Sequence, residues 1–351
     1  MDRQTDIVDA PRARRSPDMG ERRRRRGAIA QVLLFLTVWS TLVSMFGLLA
    51  VLPTLAETLQ RSGVVGPEGR ISSDLDADRL SALLAASSTT TLAVAAATAL
   101  ATVLAVWIMQ RFFDGPSLLD LGLRLQPGWL ADTVFGLVLG PIIFLVILLM
   151  LLAAGLASVE PGTIAGRELL TAFVTYLLVG FSEEVFARGW VLQVLEQGRG
   201  TRVAVVGSAA IFSLLHAFNP GFGLTALLGL FLAGLLFAQA YLVTRKLWLP
   251  IALHLSWNFS EGPLFGFPVS GLPGEGLLTV KPTGPEIVTG GAFGPEAGLV
   301  VIVGIAIASG ALYLLGRWRC SHPPAPLPHA RGRGDQGDVG VADIRAQQGP
   351  W

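Results

Sequence analysis

The chain has 351 residues, of which 52% are hydrophobic and 15% charged, with a formal net charge of +1. A soluble globular enzyme carries roughly 25% charged residues, so this composition excludes one and points to an all-α polytopic membrane protein. The small net charge hides an uneven distribution, because residues 1–27 hold nine arginines against five acids.

Those first 27 residues include the run Arg22 to Arg26 and lack apolar periodicity. They read as a basic, disordered cytoplasmic tail beside a membrane helix, and not as a nucleic-acid-binding segment. The apolar stretch from Ala28 to Leu52 exceeds the roughly 7–15 residues of a signal-peptide core, so it reads as a retained anchor. About 20 apolar residues cross a bilayer as helix. On that measure the expected spans lie near 29–52, 82–109, 130–157, 168–188, 203–217, 222–244, 247–262 and 296–316, the fifth and seventh being short.

Residues 28–167 form the N-terminal transmembrane part, and 168–262 the polar-bearing core. Residues 263–295 read as an external Gly/Pro-rich loop, 296–316 as the last span, and 317–351 as a disordered tail. Basic residues collect on one side of these spans: Arg111, Arg124, Arg199, Arg202, Arg245, Lys246, Arg317 and Arg319, with Arg167 as the exception. By the positive-inside rule both termini are cytoplasmic, in a protein of the cell membrane. Cys320 is the single cysteine, which rules out an internal disulfide and a cysteine-based metal cluster.

Chemistry concentrates in Phe181 to Trp190, where two carboxylates and an arginine end an apolar segment. A charge at the centre of a spanning helix costs roughly 2.5–3.5 kcal/mol on insertion scales, so such groups face a protein interior. Glu184 and Arg188, four apart, share a helical face and can pair, which leaves Glu183 available for chemistry. Two of the four histidines, His216 and His254, lie in apolar segments; Phe212 shares a face with the first and Asn258 with the second. Glu183 and His216 stand sixteen and seventeen residues from Arg199, and so at nearly equal height in a hairpin, while His254 is only eight residues past Lys246. For the three to meet, the 190–200 segment projects roughly 10 Å beyond the membrane or lies along it, below a cavity that opens to the cytoplasm.

These three motifs, Glu-Glu-x3-Arg, Phe-x3-His and His-x3-Asn, resemble the CAAX-protease and bacteriocin-processing (Abi) family of intramembrane endopeptidases, over roughly Leu169 to Ser260. The resemblance implies that Glu183 and His216 activate a water against a peptide carbonyl and that His254 and Asn258 stabilise the oxyanion. Glu184, Arg188 and Phe212 then support them. The implied partners are the lipid bilayer and a membrane-associated peptide or protein, with no nucleic acid. No cofactor is expected, zinc on Glu183, His216 and His254 being the alternative. Two rival readings are a transporter with a Glu/His/Arg relay and an inactive immunity protein of the same fold.

Overall fold

The computed structural model describes residues 19–61, 64, 79–80, 83–84, 87–113 and 115–322. The expected tails therefore lie largely outside the described residues. Where they are described they are helical, since the first helix starts at Met19 and the last ends at Ser321.

Among the described residues the chain is almost wholly helical. Helix α1 (Met19–Arg61) is followed by α2 (Ser88–Phe113), a π-turn at Leu119–Leu123, and α3 (Trp129–Ala153). A short strand β1 (Ala157–Pro161) leads to α4 (Gly166–Glu184), which runs on through π-helical Val185–Leu192 into α5 (Gln193–Arg199). Then come α6 (Thr201–Leu215), α7 (Leu224–Thr244), α8 (Trp248–Phe259), strand β2 (Leu278–Pro282), the single turn α9 (Glu286–Thr289) and α10 (Val300–Ser321).

Among the described residues, seven helices or continuous helical runs have the length and hydropathy to cross a membrane. The seventh expected span, 247–262, is not among them. The twelve residues of α8 and the five of the π-turn Ser260–Leu264 that continues it reach about 26 Å, short of a hydrocarbon core of about 30 Å. Helix α8 is held inside the bundle instead, with every residue from Leu249 to Asn258 buried. Around it the helices turn apolar side chains outward, as lipid permits: α3 exposes Leu130, Val134, Val138, Ile142, Leu145 and Leu149 along one face. Its opposite face buries Gly136, Gly140, Ile143 and Ile147.

That buried face grips α8. A Cβ on Gly140 would lie 2.4 Å from the Ser256 carbonyl carbon, and one on Gly136 would lie 2.8 Å from the Leu249 oxygen. Gly136 and Gly140 thus form a GxxxG contact that lets two backbones touch in the membrane. The Ser256 hydroxyl donates to the Gly136 carbonyl at 2.7 Å, closing the same contact.

At one end of the bundle, buried Asp132 of α3 meets Lys246 (3.3 Å) from the α7–α8 turn and Arg319 of α10. At the other end, β1 and β2 pair antiparallel, Ala157 opposite Pro282 and Pro161 opposite Leu278. The Gly/Pro-rich stretch 263–295 therefore carries structure that its composition did not signal. Phe267, Val269, Val280 and Phe293 are buried in it, forming a cap over that end.

Candidate active site

Four elements bring the polar residues together. Helix α4 ends on Glu183 and Glu184, and the helix then widens to π geometry over Val185–Leu192, every residue of which is buried. Such π segments recur at functional sites, where they re-aim side chains. Gly189 packs against Leu121 and Leu247 beside the α7–α8 turn, and the helical run continues about 15 Å further to Arg199 at the end of α5. Glu196 holds it there through Arg245 at 2.6 Å. This is the offset that equal heights of Glu183, His216 and His254 require.

Glu184 and Arg188 form the expected pair at 2.8 Å, and both side chains are 0% exposed. The arginine also donates to the Gly234 carbonyl of α7 at 2.8 Å, and its guanidinium lies 4.6 Å from the Phe212 ring centroid and 5.2 Å from that of Phe237. Gly234 is required there, because a Cβ would meet Ala209 of α6 at 2.9 Å. The same Glu184 oxygen lies 2.9 Å from His254 Nδ1, and the His254 ring stacks on Phe237 at 4.6 Å. Neither contact was visible in the sequence, since Glu184 and His254 are 70 residues apart. Phe237 sits in an unbroken apolar run, so no local signal marks it.

His216 ends α6. Its Nδ1 lies 2.9 Å from the Phe212 carbonyl, one turn back, so Nδ1–H donates there and a neutral ring keeps its Nε2 lone pair free. Nε2 of His216 is 3.9 Å from Glu183 Oε2, and Nε2 of His254 is 3.8 Å from the same oxygen. Glu183 (side chain 26% exposed) and His216 (14%) are part-exposed, with Glu183 Oε2 itself buried and without a hydrogen-bond partner, whereas Glu184 and Arg188 are sealed. Asn258 is one turn beyond His254 on buried α8. His216 and His254 thus converge on one Glu183 oxygen, and Glu184, Arg188 and Phe212 form the wall behind them.

No group of three or more metal-ligating side chains with metal-site spacing occurs among the described residues. No curated protein matches the chain. Residues 165–260 match the family model described as type II CAAX prenyl endopeptidase Rce1-like. That interval opens one residue before α4 and closes one residue after α8, so it contains Glu183, Glu184, Arg188, Phe212, His216, His254 and Asn258. The chain is a membrane protein whose segment 165–260 is similar to the type II CAAX prenyl endopeptidase family.

Proposed function

We propose that this protein is an intramembrane endopeptidase that hydrolyses a peptide bond of a membrane-associated protein or peptide. The observation that carries the reading is the convergence of His216 Nε2 and His254 Nε2 on the part-exposed Glu183 carboxylate, at 3.9 and 3.8 Å. Glu183 Oε2 and His216 Nε2 are two acceptors that can each take one proton of the same water. Its oxygen then attacks the substrate carbonyl, and Glu183 takes the proton as general base. On collapse that proton passes to the departing amine.

The oxyanion needs donors fixed in advance. Asn258 supplies an amide N–H. His254 is constrained more tightly: its Nδ1 faces Glu184, so it can donate from Nε2 only when both nitrogens carry protons. Glu184 provides the counter-charge for that imidazolium while also accepting from Arg188. The sealed Glu184 is thereby a positioning residue for His254 as well as a partner for the arginine.

A zinc-dependent mechanism is the second reading. One carboxylate and two imidazoles suit zinc, and His254 carries a carboxylate on its other nitrogen, as metal-bound histidines commonly do. Bound zinc would be held by Glu183, His216 and His254 and would supply an acidified water. The absence of an His-Glu-x2-His motif, and an asparagine where an oxyanion donor is needed, favour the metal-free reading.

The test compares membrane peptides from cells expressing wild type or Glu183→Gln, then assays purified protein on any peptide that accumulates. We expect cleavage to vanish in Glu183→Gln and to survive 1,10-phenanthroline in wild type. Cleavage at the normal rate by Glu183→Gln would defeat the mechanism, and activity lost and restored with stoichiometric zinc would select the second reading.

A further inference from the structure

A second buried carboxylate pair lies outside the candidate active site, where α8 enters the cap. Glu261 is on the turn that follows α8, and Glu296 on the turn that precedes α10. Glu261 is 0% exposed and Glu296 4%. The Trp257 indole N–H donates to one Glu296 oxygen at 3.0 Å and the Ser270 hydroxyl to the other at 2.5 Å. Two donors on one carboxylate fit its ionised form.

Neither Glu261 oxygen has a hydrogen-bond partner of good geometry, although the Glu296 backbone N–H and the Trp257 indole lie near enough to act on it. One of the Glu261 oxygens lies 3.2 Å from where a Cβ on Gly294 would stand, so the backbone of the cap closes directly over it. The two carboxylates are close enough for each charge to bear on the other and on the Tyr176 phenol. Among the described residues no lysine, arginine or histidine pairs with either one.

Buried charges are paired, neutralised or bound to a metal. A single shared proton would still leave one negative charge buried on the pair. A divalent cation neutralises both carboxylates at once. The donors are hard oxygens on irregular backbone, which suits a calcium-like ion with its tolerant geometry better than zinc. Ser270 adds a further sign of construction, holding a left-handed backbone (φ 48°) that a non-glycine residue rarely adopts, with its hydroxyl turned to Glu296.

We propose that Glu261, Glu296 and Ser270 form a binding site for a hard divalent cation that clamps the cap to the bundle. The site is wired to both catalytic elements. Trp257 precedes Asn258 on α8, and the Ser270 carbonyl accepts from Asn219 at 2.8 Å, three residues past His216. Filling it would fix the cap, the end of α6 and α8 relative to one another.

The test uses the full chain in nanodiscs, stripped with EGTA and titrated with Ca2+, Mg2+ and the luminescent probe Tb3+, which Trp257 is placed to sensitise. We expect saturable Tb3+ luminescence displaced by Ca2+, and a Ca2+-dependent rise in Tm. Glu261→Gln should weaken binding roughly tenfold or more and flatten the Tm response, while melting no lower than stripped wild type because it removes an uncompensated charge. The Glu183→Gln variant should bind like wild type, which separates this site from the proposed protease chemistry. Absence of saturable binding in wild type, equal binding by Glu261→Gln, or a Tm that responds to pH and not to cation would each overturn the proposal.

Discussion

Glu183 and Glu184 are adjacent in sequence and opposite in circumstance. Glu183 faces two imidazole nitrogens from a part-exposed position, while Glu184 is sealed between Arg188 and His254. Glu183→Gln should abolish cleavage and leave Tm nearly unchanged, because the amide fills the same space but cannot take a proton from water. Glu184→Gln should strip a buried arginine of its counter-charge, a loss of roughly 3–5 kcal/mol, visible as lower abundance and a lower Tm. Identical behaviour of the two variants would contradict this division. Asn258→Ala should cost kcat about 10²–10³-fold with KM nearly unchanged, as for an oxyanion donor; a KM effect alone would assign Asn258 to substrate binding.

The elements explain why so short a helix can carry two of these residues. With twelve residues, α8 depends on its neighbours for position, and the closest grip comes from Gly136 and Gly140 of α3, outside the matched segment. Gly140→Ala forces a Cβ onto the Ser256 backbone, where no flexible side chain can yield completely. Overpacking of this kind costs about 1–3 kcal/mol, and a displaced α8 should also lower kcat. Gly47→Ala is the control, since nothing lies within 4 Å of its added Cβ. Equal melting of the two variants in differential scanning fluorimetry would show that the α3–α8 contact does not hold the site.

Across the whole molecule, the two ends of the bundle are chemically distinct. Asp132, Lys246 and Arg319 join the start of α3, the α7–α8 turn and the end of α10 at one end. At the other, Gly276 accepts from Ile164 and the two strands pair in the cap. Reporters inserted near Thr244 and fused after Arg317 should therefore report the same compartment, the cytoplasm by the distribution of basic residues, and one near Gly276 the opposite compartment. Opposite signals at Thr244 and Arg317 would be incompatible with a shared Asp132 cluster.

The sequence by itself determined the membrane class and six of the seven long spans closely, because long apolar runs have one stable solution in lipid. The Glu184–Arg188 pair was legible too, since helical phase is a local property that four residues fix. Only the tertiary structure decided that α8 stays inside the bundle, because a short apolar run reads alike as a span or as a buried helix until its length is measured between its turns. The bond from Glu184 to His254, the stacking of Phe237 and the meeting of Glu261 with Glu296 were likewise invisible in one dimension. Each joins residues far apart in the chain, and such contacts are set by how helices pack. Packing here turns on glycines such as Gly140 and Gly234, whose partners across each contact the sequence does not name.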